Sequence, residues 1–145
     1  MSNKNVVRVR DVMHTHFDMV DGLATIKDAL CDAKHLSSRC FIVNKRHDDD
    51  EFGIVLFSDI AKQILAKDRA PERVNVYEIM TKPVISVDPL MDIRYCARLF
   101  ENFGIARAPV IDKGKVIGVV SYSGIVLHGL VDSCKLDTTA AEVED

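Results

Sequence analysis

The stretch Val9-Arg10-Asp11-Val12-Met13 returns as Val76-Tyr77-Glu78-Ile79-Met80, and this return decides the fold. Identical residue types recur at the same offset of 67 residues, in the pairs Val20/Val87, Asp21/Asp88, Leu23/Leu90, Ile26/Ile93 and Val43/Val110. Two extra residues then enter the first copy, because Gly53 matches Gly118, with Val55/Val120, Ser58/Ser123 and Ile60/Ile125 in step. A repeat of this extent indicates one supersecondary unit used twice. The sequence therefore predicts two equivalent lobes with a quasi-symmetric interface and two related clefts.

Each copy is predicted to run strand, helix, strand, strand, helix. Apolar residues three and four positions apart indicate one helix per copy, through Ile26, Ala29, Leu30, Ala33 and Leu36 and through Ile93, Ala97, Phe100 and Phe103. Branched apolar runs follow and predict strands, at Phe41-Ile42-Val43 and Ala108-Pro109-Val110-Ile111.

The two connections between the later strands differ in length. The first spans Asn44 to Phe52, and its acids Asp48 to Glu51 are interpreted as a solvated hairpin. The second has Lys113-Gly114 as its predicted tip. Ser58 and Ser123 stand where a side-chain oxygen caps the helix that follows.

Composition limits the classes of function. The chain has 145 residues, of which 48% are hydrophobic and 28% charged, enough for one two-lobed module. Its formal net charge of −3 and scattered lysines and arginines argue against a nucleic-acid or membrane partner. Because no apolar run approaches the ~18 residues of a membrane helix and no signal peptide is evident, we expect a cytoplasmic protein.

Metal and catalytic chemistry are not indicated. Four cysteines, Cys31, Cys40, Cys96 and Cys134, lack paired metal spacing, and buried free thiols are expected. His14 and His16 would share one face of a strand, but without a third ligand nearby no metal is predicted. No nucleophile and base pair or catalytic phosphate loop is present, so we expect no catalytic residue and no enzyme.

The predicted boundaries follow the repeat. They are a lead at 1–8, a first copy at 9–70, a connector at 71–75, a second copy at 76–134, and an acidic tail at 135–145 that is expected to be disordered.

The ordered elements resemble tandem CBS domains, the pair called a Bateman module, here as a stand-alone chain. The resemblance rests on Asp11-Val12-Met13, Glu78-Ile79-Met80-Thr81, the segment Gly104 to Val110, and the glycine-headed strand running into each last helix. It implies an α/β (α+β) fold of two β-α-β-β-α repeats related by a pseudo-twofold axis. It also implies clefts that bind AMP, ATP, adenosine or S-adenosylmethionine, with no required cofactor, and a regulatory role toward a protein partner.

The ligand motif of the resembled family is glycine, apolar, any, Ser/Thr, any, any, Asp, and here it is split. Where a strand ends at the amino terminus of a helix, free backbone amides can bind a phosphate. An acid three residues after the hydroxyl can accept hydrogen bonds from both hydroxyls of a ribose. The first copy, Gly53 to Asp59, has the acid but places Leu56 at the hydroxyl position. The second, Gly118 to Gly124, has Ser121 but lacks the acid. For each residue a structural role is an equal alternative to ligand binding: Asp59 could be an acid favoured by the helix dipole, and Ser121 an ordinary hydroxyl at a strand end.

Other site residues are implied by position in the resemblance. One wall would hold Thr81, Pro83 and Val84 with Ala108 and Pro109, and the other His14, His16, Phe17 and Phe41. Arg107 would reach a phosphate or lie over the apolar rim. Ordinary core or rim packing is the alternative for the walls.

Two functions are left open by the sequence. The first is a ligand-sensing regulatory module that binds an adenosine compound in the cleft between the repeats. The second is a dimerisation or protein-interaction module without a small ligand. The run Ile125 to Val131 is apolar nearly all round, which predicts a homodimer packed through these helices.

Overall fold

The computed structural model describes residues 6–134, and these form two compact units. The continuous unit comprises His16–Val84. The discontinuous unit joins residues 6–15 to residues 85–134. Each unit therefore contains the opening segment of the other sequence copy, and the copy boundaries stay a prediction. The predicted tail, residues 135–145, lies outside the described residues.

The continuous unit has a three-stranded sheet of β1 (Asp18–Val20), β2 (Cys40–Val43) and β3 (Gly53–Leu56). Strands β1 and β2 are parallel, whereas β2 and β3 are antiparallel. Helix α2 (Ile26–Asp32) connects β1 to β2, and α3 (Phe57–Ile60) follows β3 and continues as a π-helical segment, Ala61–Leu65. This order confirms the predicted strand, helix, strand, strand, helix.

Helix α2 is shorter than its apolar pattern predicts. The Thr25 hydroxyl caps its start by accepting from the Asp28 amide at 3.0 Å. At the other end the Asp18 carboxylate accepts from the backbone amides of Lys34 (3.0 Å) and His35 (2.9 Å), which removes both from helical hydrogen bonding. The prediction was therefore wrong for Leu36, which lies in a separate 3₁₀ turn and is 48% exposed.

The core of the continuous unit lies between its sheet and its helices. Eight buried side chains form it: Ile26, Ala29, Phe41, Val43, Val55, Ile64, Val74 and Val76. Val76 belongs to a 3₁₀ turn, Val76–Glu78, in the opening segment of the second copy. That segment thus completes the core of this unit.

The discontinuous unit has a two-stranded antiparallel sheet of β4 (Arg107–Asp112) and β5 (Lys115–Ser121), and among the described residues the predicted first strand of the second copy is reduced to a single bridge. A parallel bridge between Val87 and Val110 stands where Val20 pairs with Val43 in the other unit. The predicted tip is confirmed: Lys113 and Gly114 both have positive φ, at 54° and 80°, as a tight two-residue hairpin requires.

Three helical regions complete this unit. They are α1 (Val9–Val12), α4 (Ile93–Phe103) and α5 (Tyr122–Val126), the last continuing as a π-helical segment, Leu127–Val131, and then α6 (Asp132–Cys134). Helix α4 ends at Gly104, whose φ of 66° suits a residue without a side chain. Phe103 lies in this helix as predicted but is 61% exposed, whereas Cys96, which the predicted stripe omitted, is fully buried.

The core of the discontinuous unit contains Val9, Val12, Val87, Ile93, Cys96, Phe100, Ala108, Val110, Val120 and Ile125. Burial raises the pKa of the Cys96 thiol to about 11, so this group stays protonated and packs as a small apolar side chain. None of the four cysteines, all of which lie within residues 6–134, forms a disulfide. Cys40 and Cys96 are buried as expected, but Cys31 and Cys134 are exposed.

Candidate ligand-binding strand ends

Asp59 is the first candidate site residue, and it lies in the first turn of α3 in the continuous unit. Its carboxylate accepts a hydrogen bond from the Leu56 amide at 2.9 Å, so it caps the start of this helix. An ionised carboxylate has two oxygens and about four acceptor positions. Asp59 can therefore cap the helix and still accept hydrogen bonds from ligand hydroxyls.

Ser121 occupies the matching strand end in the discontinuous unit. It is buried at the end of β5, and its hydroxyl accepts from the Gly124 amide at 3.0 Å while lying 3.2 Å from the Ser123 hydroxyl. Ser121 thus caps α5, a role that Leu56 cannot perform at the matching position. A Cβ at Gly124 would lie 3.2 Å from the Ser121 oxygen, so this position is closely packed.

An opening segment runs beside each of these strand ends. Thr81 exchanges backbone hydrogen bonds with Ile54 (2.9 and 3.0 Å), two residues before Leu56. His14 exchanges them with Val119 (2.8 and 2.9 Å), two residues before Ser121. Thr81 therefore belongs to the unit of Asp59, and His14 to the unit of Ser121.

A glycine in each strand permits this approach: Gly53 begins β3 as predicted, whereas β5 begins three residues before Gly118. A Cβ at Gly53 would lie 3.1 Å from Met80 Sδ, and one at Gly118 would lie 2.6 Å from Met13 Sδ. The glycines thus admit the opening segment of the other copy. Sequence reasoning did not assign this role to Met13 and Met80, although their place in the returned segment is the signal for it.

The remaining predicted site residues divide between the units. Pro83, Val84, His16, Phe17 and Phe41 lie in the continuous unit, and Arg107, Ala108 and Pro109 lie in the discontinuous unit. Phe41 and Ala108 are fully buried in the two cores, and the Phe41 ring lies 5.6 Å from that of Phe57. These two side chains would have to be uncovered before they could contact a ligand.

The others lie nearer to the surface or along the strands. The Val84 amide donates to the Phe52 carbonyl at 3.0 Å, and the Pro109 carbonyl accepts from Val87 at 3.1 Å. Half-buried Arg107 pairs with Ser121 across the hairpin, which places a cation beside the discontinuous strand end. Exposed His16 lies with its ring 5.2 Å from that of His35.

Two carboxylates carry the clearest electrostatic effects. Hydrogen bonds from Arg46 and from Lys82 (2.8 Å) hold the pKa of Asp50 well below its usual range. Hydrogen bonding from Arg94 lowers the pKa of Asp92 to about 2. Within residues 6–134 no three His, Cys, Asp or Glu side chains converge in a way that could hold a metal ion. In the same part of the chain, no helix has the length and apolar character needed to cross a membrane.

Comparison with known proteins identifies the fold. The family model described as CBS domain matches residues 76–129. A hexameric CBS-CP12 protein from bloom-forming cyanobacteria, whose structure is known, is 32% identical in sequence to this chain, and the two structures have a TM-score of 0.80. The match covers 94% of this chain and 76% of that one. The chain belongs to the CBS-domain family, and it has the fold of a CBS-domain pair.

Two further relatives are informative. An uncharacterized protein of Methanopyrus kandleri, MK0525, is 33% identical over 86 residues, which are 59% of this chain and 43% of the relative. The chain thus matches less than half the length of this curated relative. The CBS domain pair of protein MJ0100, solved with 5′-methylthioadenosine and S-adenosylmethionine, is 22% identical, with a TM-score of 0.67, over 83% of this chain and 98% of that one.

Proposed function

We propose that this protein is a regulatory module that binds an adenosine-containing ligand at its strand ends and modulates a partner protein. The observation that carries the proposal is the paired placement of Asp59 and Ser121. Each stands where a strand meets the first turn of a helix, beside a hydrogen-bonded opening segment. MJ0100, which shares this fold, was solved with two adenosine compounds.

The two strand ends should prefer different parts of such a ligand. Ser121, with the α5 amides and nearby Arg107, suits a phosphate, but Gly124 provides no carboxylate for a ribose. Asp59 suits the ribose hydroxyls, while Leu56 offers a phosphate no hydroxyl. The continuous unit is therefore expected to favour adenosine or S-adenosylmethionine, and the discontinuous unit AMP or ATP.

Titration calorimetry with adenosine, S-adenosylmethionine, AMP and ATP tests the proposal. We expect binding of at least one compound, weakened by Asp59→Asn for the first pair or by Ser121→Ala for the second. If no compound binds at about 1 mM, where even a weak site would be half filled, the adenosine proposal is wrong. No catalytic step is assigned to the module, and we expect it to act in the cytoplasm without nucleic acid or membrane.

A dimerisation or protein-interaction module without a small ligand is the second candidate. Large apolar side chains are exposed at matched positions of the two copies, in the pairs Leu23/Leu90, Leu36/Phe103 and Leu65/Leu130. In the run Ile125 to Val131, Ile125 and Gly129 are buried, but Val126 and Leu130 are 47% and 59% exposed. Exposed apolar groups at repeated positions suit a symmetric self-association.

Light scattering at tens of micromolar tests this candidate. We expect a homodimer that Leu130→Asp dissociates, because a carboxylate would be desolvated at the contact. Ser86→Asp adds the same charge at an exposed position outside the helices and should leave the dimer intact. A monomeric parent protein would rule out self-association through these helices.

A further inference from the structure

An open cavity of about 970 Å³ lies in the continuous unit, away from Asp59. Its lining includes Val43 and Asn44, at the end of β2. Because Val43 pairs with Gly53 and Cys40 with Leu56, Asp59 follows the opposite end of this strand pair, about 10 Å away along the strands. The cavity is therefore distinct from the candidate strand end.

The position of the cavity suits ligand binding. Strands β1 and β2 are parallel and both end here, at Val20 and Val43. Crevices at the carboxyl ends of parallel strands are common ligand sites. The cavity also depends on the nine-residue connection from Asn44 to Phe52, where the discontinuous unit has only the two-residue turn Lys113-Gly114. It is thus a feature of the continuous unit alone, outside the repeated plan.

The charges around the cavity leave an excess positive charge. Lys45, Arg46 and Lys82 line it, together with one acid, Asp21. Asp50 neutralises part of the charge: it accepts from Arg46 at 3.1 Å and from Lys82 at 2.8 Å, and its side chain is only 8% exposed. For the lining side chains together with Asp50, three cations against two acids leave one net positive charge, and the other acids of the connection do not line the cavity.

Lys45 is the cation that this network leaves uncompensated. Its ammonium lies 5.1 Å from the centre of the Phe52 ring, and it has no carboxylate partner within residues 6–134. Lys82 also retains binding capacity, because an ammonium has three donors and Asp50 uses one of them. Both lysines line the same cavity, and each ammonium has donors left for an anion.

Apolar groups complete the lining. Leu23 and Tyr77 are exposed, Met80 is half-buried, and all three line the cavity. We propose that this cavity is a second ligand site, which binds a small organic anion: Lys45 and Lys82 hold its carboxylate or phosphate, and Leu23, Tyr77 and Met80 contact its apolar body. The site is independent of any adenosine ligand at Asp59.

Amide-resolved NMR titration of the whole chain tests the site with three probes. Phenylacetate and phenyl phosphate carry the two possible anionic groups, and 2-phenylethanol is their neutral counterpart. At about 10 mM, enough to saturate a site with a Kd of about 1 mM, both anions should shift the amides of Gly22, Asn44 and Lys45. The neutral probe should bind several-fold more weakly. The stronger anion identifies a carboxylate or a phosphate ester as the natural group.

Two variants separate the charge from the apolar wall. Lys45→Gln should weaken both anions about three- to fivefold and leave the neutral probe unchanged. Its matched control, Lys115→Gln in the exposed hairpin of the other unit, should change nothing. Tyr77→Ala should weaken all three probes, and the spectra themselves report whether each variant is folded.

Three results would overturn the proposal. The first is an absence of shifts at Gly22, Asn44 and Lys45. The second is equal binding of the neutral probe and the anions. The third is loss of affinity in the Lys115 control equal to that in Lys45→Gln. Asp59→Asn should leave these titrations unchanged, so failure of the adenosine proposal and failure of this one are distinguishable.

Discussion

Gly53 in the continuous unit and Gly118 in the discontinuous unit both allow an opening segment to pack closely against a strand, but the closeness of that packing differs. At Gly53 a Cβ would lie 3.1 Å from Met80 Sδ and 3.2 Å from the Thr81 carbonyl oxygen. At Gly118 the corresponding distances, to Met13 Sδ and the His14 carbonyl oxygen, are 2.6 and 2.8 Å. A methionine side chain can move, but a carbonyl that belongs to a backbone bridge cannot do so without weakening that bridge. Equivalent positions in a repeat therefore need not tolerate the same substitution.

The largest effect is expected from an added methyl group at these two glycines. Gly118→Ala should lower the free energy of unfolding by about 3 kcal/mol, and Gly53→Ala by about 1 kcal/mol, because overpacking costs rise with the overlap that must be relieved. Urea denaturation followed by circular dichroism measures both. Equal losses would show that the opening segments relax alike. Gly22→Ala is a control, because its Cβ would meet nothing closer than 3.5 Å.

The next effect concerns the carboxylate that the discontinuous strand end lacks. Gly124→Asp should tighten AMP binding about tenfold, since one charge-assisted hydrogen bond contributes roughly 1.5 to 3 kcal/mol. Calorimetry on Gly124→Ala measures the cost of the crowding near Ser121 without the new acid. If the two variants bind AMP equally while both stay folded, the family motif does not apply to this strand end.

A smaller effect is expected from the acid that the continuous strand end retains. Asp59→Asn keeps an acceptor for the Leu56 amide, so the free energy of unfolding should fall by only about 0.3 to 1 kcal/mol, through the weaker helix-dipole interaction. Affinity for adenosine and S-adenosylmethionine should fall several-fold. In competition, ATP should lose to either compound at this unit. An unchanged affinity for all ligands would leave Asp59 as a helix cap only.

The smallest effect should come from pH, through one paired acid in each unit. The folded-state pKa of Asp92 is about 2, below the ordinary 3.8, because of Arg94. A depressed pKa gives stability that is present above about pH 4 and lost as the pH falls toward 2. In Asp92→Asn, the free energy of unfolding measured by urea denaturation should change less with pH across that window. Asp50 has two cationic partners, so it should extend the pH dependence of the free energy of unfolding to lower pH. Identical profiles of stability against pH for Asp50→Asn and Asp92→Asn would contradict this difference.

Several elements could be predicted from the sequence because their causes are local. The Lys113-Gly114 tip requires two positive φ values, and glycine adopts the second of them at no steric cost. The order of strands and helices along the chain follows from the apolar runs and from the repeat. The split motif is a property of residue identity at fixed spacing, so the sequence alone gives Leu56 at the hydroxyl position of the first copy and Gly124 at the acid position of the second.

Other elements depended on contacts between distant residues. The end of α2 is set by Asp18, which lies outside the helix and is hydrogen-bonded to the amides of Lys34 and His35. The placement of Phe41 and Ala108 in the cores also follows from packing that periodicity does not specify. Hydrophobic spacing predicts which side of an element is apolar, but it does not predict what will cover each residue.

By itself the sequence determined a repeated α/β chain with a ligand motif divided between its copies, because repetition and residue type are properties of the chain. Only the tertiary structure decided which opening segment completes which unit: Thr81 pairs with Ile54, and His14 pairs with Val119. It also decided that Asp50 lies between Arg46 and Lys82 beside a cavity. The physical reason is that backbone pairing and charge pairing depend on distances between residues far apart in sequence, and folding alone sets those distances.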